Sequence, residues 1–487
     1  MSPNPSVMLA CNHEADCEHG KEEFDHKEVV EEDTFGDEEF SEVVLVHSHL
    51  PSCKFKAIQI DDGIIGNVAC VRSHICMNAL RTLTYDMIYL VMVAETISLG
   101  ILSLPAVIAS IGLLPSMILI VFLGIAATYT GYSIGQFKWR YPQVQSMADA
   151  GEVLGGTFGR ELLGIAQLLL LVFIMASHTL TFSVAMNAIT DHGTCSIVFS
   201  IVGAGVSFAC CIPRTSGKIS YLSIASFISI FATVMVTMIS VGTKNPDGFK
   251  IHATMETDLS KAFLAVCNIV FAYAAHVAFF GFMAELKDVR DFPKSLYLLQ
   301  GTDTVLYLIT SAVIYRFAGV DVASPAVGSA GPLLKKVAYG LALPTILIAG
   351  VVNGHVASKY VYLRIFKDSD RIHKCDFVAV GSWIAIGAAL WTIAWVIAEA
   401  IPVFGTLLSL IAALFASWFT YGIGAVCWLH LNKGTYLSSF SKMILTFVNI
   451  ALVAIAGTIC VLGLYSSGKA LRDDTGSGSF SCRANVS

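Results

Sequence analysis

Apolar residues along the 487-residue chain gather into eleven blocks, roughly 86–111, 114–136, 161–190, 195–212, 217–241, 261–284, 298–319, 334–358, 377–398, 402–430 and 443–465. Each is long enough to cross a hydrocarbon core as a helix, which takes about twenty residues. Short polar gaps such as "PRTSGK" (213–218) and "AEAIP" (398–402) read as tight turns between neighbouring helices. The pattern predicts an all-α polytopic membrane protein with eleven transmembrane helices over residues 86–465. Composition agrees: 14% of residues are charged and the mean hydropathy is +0.70, whereas a soluble domain carries about 25% charged residues.

Charge then orients the spans. With the N-terminus inside, the inward loops (137–160, 213–218, 285–297, 359–376, 431–442) hold 15 Lys and Arg, against 6 in the outward set. Basic residues favour the cytoplasmic side, so the N-terminus is expected inside and, after an odd number of spans, the segment 466–487 outside. Residues 1–85 read as a cytoplasmic tail. Its first 42 residues carry fourteen Asp and Glu against Lys21 and Lys27, too little apolar surface to offset the entropy of ordering. The start is acidic where a secretory signal would be basic and then apolar. Within it, "CNHEADCEH" sets Cys11, His13, Cys17 and His19 at spacings that match no strong zinc pattern, and no metal or other cofactor is expected. Most cysteines within the apolar blocks read as small hydrophobes.

One span carries an unusual stretch. "AETISLGILSLP" (94–105) places Glu95, three hydroxyls, Gly100 and Pro105 within twelve positions. Glycine costs about 1 kcal/mol in a helix and proline about 3. In lipid, such a break is tolerated only where the backbone lines a protein cavity. A discontinuous helix offers free N–H groups and a positive half-helix end to an anionic group such as a carboxylate. The sixth block, "NIVFAYAAHVAFFGFMAELKDVRDFPKSL" (268–296), also has a polar centre, with Tyr273 and His276 mid-span and Glu285 closing it. Interruptions in the first and sixth spans are the mark of two inverted five-helix repeats with one further helix.

"SLGILSLP" in the first span, and "FAYAAH" with the "ELKDVRDFPKSL" loop in the sixth, resemble the amino acid/auxin permeases. "ATYTGYSIGQFK" (127–138) and "ASKYVYLRIF" (357–366) resemble the fungal branch. The resemblance covers about 81–465. It implies a LeuT-like fold and uptake of neutral aliphatic and aromatic amino acids, usually driven by protons and in some animal members by sodium. It also implies that Ser98, Leu99, Gly100, Ile101, Leu102 and Ser103 bind the substrate's carboxylate and amine, facing Phe271, Ala272, Tyr273, Ala274 and His276. The chain departs from the family at Ala275, where a glycine is frequent, and between "FGDEEF" (35–40) and "RTLT" (81–84). The extra residues, about 44–80, read as a lineage-specific insertion or a retained intron, which a transcript across the junction distinguishes.

Ionisable groups in spans are functional candidates by default. Glu95 reads as a proton-coupling site, an amine contact or the partner of a nearby hydroxyl. His276 and His355 titrate in the range a proton-coupled carrier uses, and the eighth span, with Asn353, His355 and Ser358, lines the ion site in LeuT-like folds. His178 and Asp303 are weaker candidates, Asp303 being placed near the cytoplasmic end. Phe279, Phe280, Phe282 and Trp418 offer apolar walls for a pocket. The sequence carries no P-loop and no nucleophile–base pattern, which disfavours an enzyme, and nothing points to nucleic acid. The expected partners are a neutral amino acid, protons, the bilayer and, through Lys21 and Lys27, ubiquitin ligase machinery. The resemblance favours the plasma membrane over the vacuole. A sensing receptor without net transport is the alternative.

Overall fold

The computed structural model describes residues 84–213, 219–243, 251–366, 377–473 and 479–482. The expectations for residues 1–83 (acidic tail, Cys/His cluster, insertion, Lys21 and Lys27) lie outside the described residues, as do the inward-loop basic residues of 214–218 and 367–376.

The described chain is helical. The first span is a bent pair, α1 (Tyr85–Thr96) and α2 (Gly100–Ile111). Then come α3 (Leu113–Arg140), α4 (Met147–Thr190), α5 (Ser196–Cys211) and α6 (Ile219–Gly242). The sixth span is α7 (Leu259–Ala272) and α8 (Phe279–Glu285). It is followed by α9 (Phe292–Ala318), α10 (Pro332–Ile365) and α11 (Phe377–Ala400). The tenth span runs through α12 (Phe404–Ile411), a π-helical segment Ala412–Gly422 and α13 (Ile423–Leu431), and α14 (Phe440–Asp473) closes the order. Every apolar block is therefore a helix. Among the described residues eight helices are long and apolar enough to span a bilayer, and the bent pair makes nine. Of the other two predicted spans, α5 falls short in length, at 16 residues, and α9 in apolar character, because Gln300, Thr302, Asp303 and Thr304 interrupt it.

Two predicted boundaries move. The loop 137–160 contains the first turns of α4, capped by Ser146, whose hydroxyl accepts from the Asp149 amide while Asp149 accepts from the Ser146 amide. Gly155 and Gly156 then kink it, Gly156 at φ +61°, where glycine avoids the Cβ penalty. At the other end, α14 continues through residues 466–473. Its Lys469 donates to Asp258, the cap of α7, at 2.9 Å and holds that carboxyl below the usual carboxylate range.

The helices pack in two groups. The bent pair, α3, α7, α8 and α9 pack on one another, and α4, α5, α10 and α11 form a second cluster. Between them lies α6, against α10 on one side and α1 and α9 on the other. Lipid tails give helices no hydrophobic reason to associate, so small and hydroxylated residues supply the adhesion. Along α6 a buried stripe, Ser226, Ser229, Thr233 and Ser240, faces α10. Ser226 Oγ and Thr345 Oγ1 are 2.6 Å apart, Thr233 Oγ1 donates to Ala338 O at 3.4 Å, and Ser240 Oγ accepts from Gly331 N at 2.8 Å. Ser229 repairs a break. Pro344 sits inside α10 and disturbs its ladder, and Ser229 Oγ donates to Leu341 O at 2.5 Å while accepting from Thr345 N at 3.3 Å.

One cysteine pair was not foreseen. Cys195, just before α5, is disulfide-bonded to Cys482, 287 residues later. Both lie on the face expected to be outside, where disulfides persist. The chain leading to Cys482 is pinned to the end of α11 by Ser479 Oγ donating to Ala400 O at 2.9 Å and Phe480 N donating to Glu399 O at 3.3 Å.

Candidate functional site

The first break spans only Ile97, Ser98 and Leu99, and the axes of α1 and α2 differ there by 51°. Thr96 Oγ1 turns back to Met92 O at 2.7 Å, and Ser98 N donates to Thr96 O at 3.0 Å. Such short-range bonds end α1. No side chain caps α2, whose first residues, Gly100, Ile101, Leu102 and Ser103, are buried. A helix opens with amides that have no intrahelical acceptor and with positive partial charge. Beside it, the buried Ser98 Oγ has no hydrogen-bond partner. Pro105, read from sequence as part of the interruption, lies inside α2. A proline in the second turn removes one hydrogen bond without setting the bend, which comes from 97–99.

The second break comes later than expected. Phe271 and Ala272 are the last residues of α7; Tyr273, Ala274 and Ala275 form turns, and His276–Ala278 is a 3₁₀ turn leading into α8. Alanine at 275 does not prevent the unwinding. The Ala272 carbonyl, which would lose its helical donor, accepts instead from Tyr307 Oη at 2.7 Å. The two breaks meet directly, since a Cβ built on Gly100 would lie 2.8 Å from Ala272 Cα. Only glycine allows that approach.

The side chains named from sequence do not all converge here. Tyr273 points away, its hydroxyl 3.1 Å from Ile120 O on α3 and 3.0 Å from Thr304 Oγ1 on α9. His276 is fully buried with Nε2 on Ala127 O at 2.8 Å and 3.3 Å from Thr130 Oγ1. Phe279 and Phe280 are core residues, Phe279 packing on His276 and Phe292, while Trp418 faces outward. Glu95 accepts from Ser223 Oγ of α6 at 2.8 Å, which is the hydroxyl-partner reading among those left open by the sequence. On α10, Asn353 bonds back to Ala349 O at 2.8 Å. His355 faces Pro213 O at 3.2 Å and the Trp383 ring of α11, and Ser358 lies beside Gly387 of α11. His178 packs on Gly350 of α10. Thus the structure brings the two breaks together by backbone at Gly100 and Ala272, while the side chains of Asn353, His355 and Ser358 are engaged on α10 itself, at Pro213 and on α11.

Asp303 needs correcting. It sits near the middle of α9, fully buried, and not at the cytoplasmic end. Tyr307 and Ser229 were missed as well. The signal for each was a polar residue inside a span, but which neighbour it serves depends on helix packing.

Comparison with known proteins decides what this geometry belongs to. Residues 81–467 match the family of transmembrane amino acid transporter proteins. This chain belongs to that family. The transporter is 36% identical over 387 residues to the N amino acid transport system protein of Neurospora crassa, an alignment covering 77% of this chain and 82% of that one. It is 24% identical to amino acid transporter AVT1H of Arabidopsis thaliana, over 78% and 88% of the two chains. Among solved structures it is similar to MhsT in complex with L-phenylalanine, with a TM-score of 0.52 and 14% identity, over 78% of this chain and 98% of that one. The transporter is thus an all-helical polytopic membrane protein with a LeuT-like fold, an amino acid transporter and not an enzyme.

Proposed function

We propose that the transporter imports neutral aliphatic and aromatic amino acids by proton symport across the plasma membrane. In this reading all eleven helical segments span the bilayer, with the N-terminus cytoplasmic and the disulfide-bonded end outside. The observation that carries the reading is the pair of breaks packed face to face, with the uncapped, buried start of α2 beside the free hydroxyl of Ser98. A substrate carboxylate accepts from those amides and from Ser98, and the substrate's side chain lies against the 271–276 segment. The surrounding α3, α7 and α8 core is apolar and aromatic, which suits a neutral side chain. The Neurospora relative is named as an amino acid transport system protein, and MhsT is in complex with L-phenylalanine; both are in keeping with an amino acid substrate.

The test is uptake of labelled leucine and phenylalanine into liposomes holding the purified protein, without sodium, at outside pH of about 5 and about 8, either side of the histidine range. Accumulation faster at the lower pH and abolished by a protonophore is the expected result. Accumulation indifferent to both replaces the proton with another driving force, and binding without accumulation makes the protein a sensor.

A further inference from the structure

Asp303 is the most unusual charged residue among those described. It is fully buried, and neither carboxyl oxygen has a hydrogen-bond partner. No salt bridge reaches it among the described residues. One turn earlier, Gln300 is 3% exposed and its amide is equally unpartnered.

Its flanking residues fix where it points. Thr302 bonds Tyr89 of α1 at 2.9 Å, and Thr304 bonds Tyr273 beside α3 at 3.0 Å. A residue between these two directions on a helix of 3.6 residues per turn faces the space enclosed by the bent pair, α3 and the end of α7. One turn further on, Tyr307 holds Ala272 O, and Ala272 is the residue against which Gly100 packs. The rings of Tyr273 and Tyr307 meet edge to face at 5.3 Å. Asp303 therefore stands one helical turn from Tyr307, whose hydroxyl bonds at the contact between the two breaks.

We propose that Asp303 is the proton-binding residue of transport, a role that rests on the proton-symport reading above. An isolated carboxylate is costly in an apolar interior and neutralises instead. A hard metal cation takes about six to eight oxygen ligands, whereas the unpartnered side-chain oxygens on this part of α9 are the two of Asp303 and the amide oxygen of Gln300. A proton needs one lone pair. The other titratable groups on the packed elements are engaged elsewhere or exposed. Glu95 turns to Ser223, His276 to Ala127 and Thr130, and Tyr129 of α3 to Asn449. Asp86 is exposed at the start of α1, and α2 has no titratable side chain. The carboxyl takes up a proton when water reaches it from outside, carries it through the closed form, and releases it when water reaches it from inside. Closure around a charged Asp303 is disfavoured, and that ties substrate movement to the proton.

The test uses the full-length protein in liposomes, with a pH-sensitive dye inside and labelled substrate. Wild type is first shown to move protons when substrate is added; if it does not, the symport reading fails and Asp303 is not at issue. Asp303→Asn mimics the protonated side chain in shape and charge. It is expected to retain exchange of labelled for unlabelled substrate within about twofold, while pH-driven accumulation and substrate-induced proton entry fall at least about tenfold. Proton entry at the wild-type level in Asp303→Asn overturns the proposal, as does loss of exchange in protein that still binds substrate. Should Asp303→Asn fail to fold, Asp303→Glu carries the test. A shifted pH midpoint for accumulation supports the proposal, and an unchanged midpoint overturns it.

Discussion

Gly100→Ala is expected to slow amino acid uptake at least about tenfold while the protein still reaches the membrane. The added methyl would sit 2.8 Å from Ala272 Cα and 3.1 Å from its Cβ. The nearer atom is backbone, so no rotamer change relieves the clash and one break must move away from the other. Overpacking of this kind costs about 1–3 kcal/mol, which a large helical protein survives. The functional loss is larger because the breaks are the proposed seat, where a misplacement of about 1 Å costs up to about a hundredfold. Ala272→Gly in the same chain removes only the Cβ contact and is expected to restore uptake in part. Full activity of Gly100→Ala at equal surface amount would show that the close approach at 100 and 272 is not part of the transport site.

His276→Ala is expected to damage stability more than proton coupling. The ring is buried, rests on Phe279 with centroids 4.5 Å apart, and bonds the Ala127 carbonyl through Nε2. Removing it opens a cavity and takes away one of the two side-chain donors to the Ala127 carbonyl, the other being Thr130 Oγ1, for a combined loss of about 2–5 kcal/mol. Thermal unfolding in detergent, followed by fluorescence size-exclusion, should show a clear drop in midpoint. His276→Gln, which keeps an N–H donor, should recover much of it and retain pH-driven accumulation. Loss of pH dependence in a stable His276→Gln protein would return the histidine to the coupling machinery.

The apolar blocks and the two breaks were legible in the sequence because hydrophobic length and helix-breaking residues act locally. Gly100 and the hydroxyls around it mark a helix that cannot continue undisturbed, and the structure interrupts it there. The exact joint was less visible. Pro105 is the strongest breaker by residue type, yet it is absorbed into α2; the bend falls on Ile97–Leu99, just before the close approach of Gly100 to Ala272. The destinations of polar side chains inside spans were not legible at all. Tyr273, His276, His355 and Asp303 are alike as polar interruptions in apolar runs. Three of them have partners on a distant part of the chain, and Asp303 has none at hydrogen-bonding distance. Nor does spacing announce a disulfide between Cys195 and Cys482, because the bond depends on where two distant segments emerge on the same face.

The hydroxyl stripe of α6 has a mechanical corollary. Toward α10 it makes a series of bonds, through Ser226, Ser229, Thr233 and Ser240, each worth about 0.6 kcal/mol within a membrane. Toward the bent pair, the side-chain bond among the described residues is Ser223 to Glu95. Cysteines cross-linked at 226 and 345 should leave uptake intact, and cysteines cross-linked at 95 and 223 should arrest it until reduced; the reverse pattern would move the hinge elsewhere. The first pattern would put the parting line along the α1 side of α6. Opening the molecule there exchanges one hydroxyl–carboxylate bond for water, a trade close to neutral, while the other side of the same helix stays riveted.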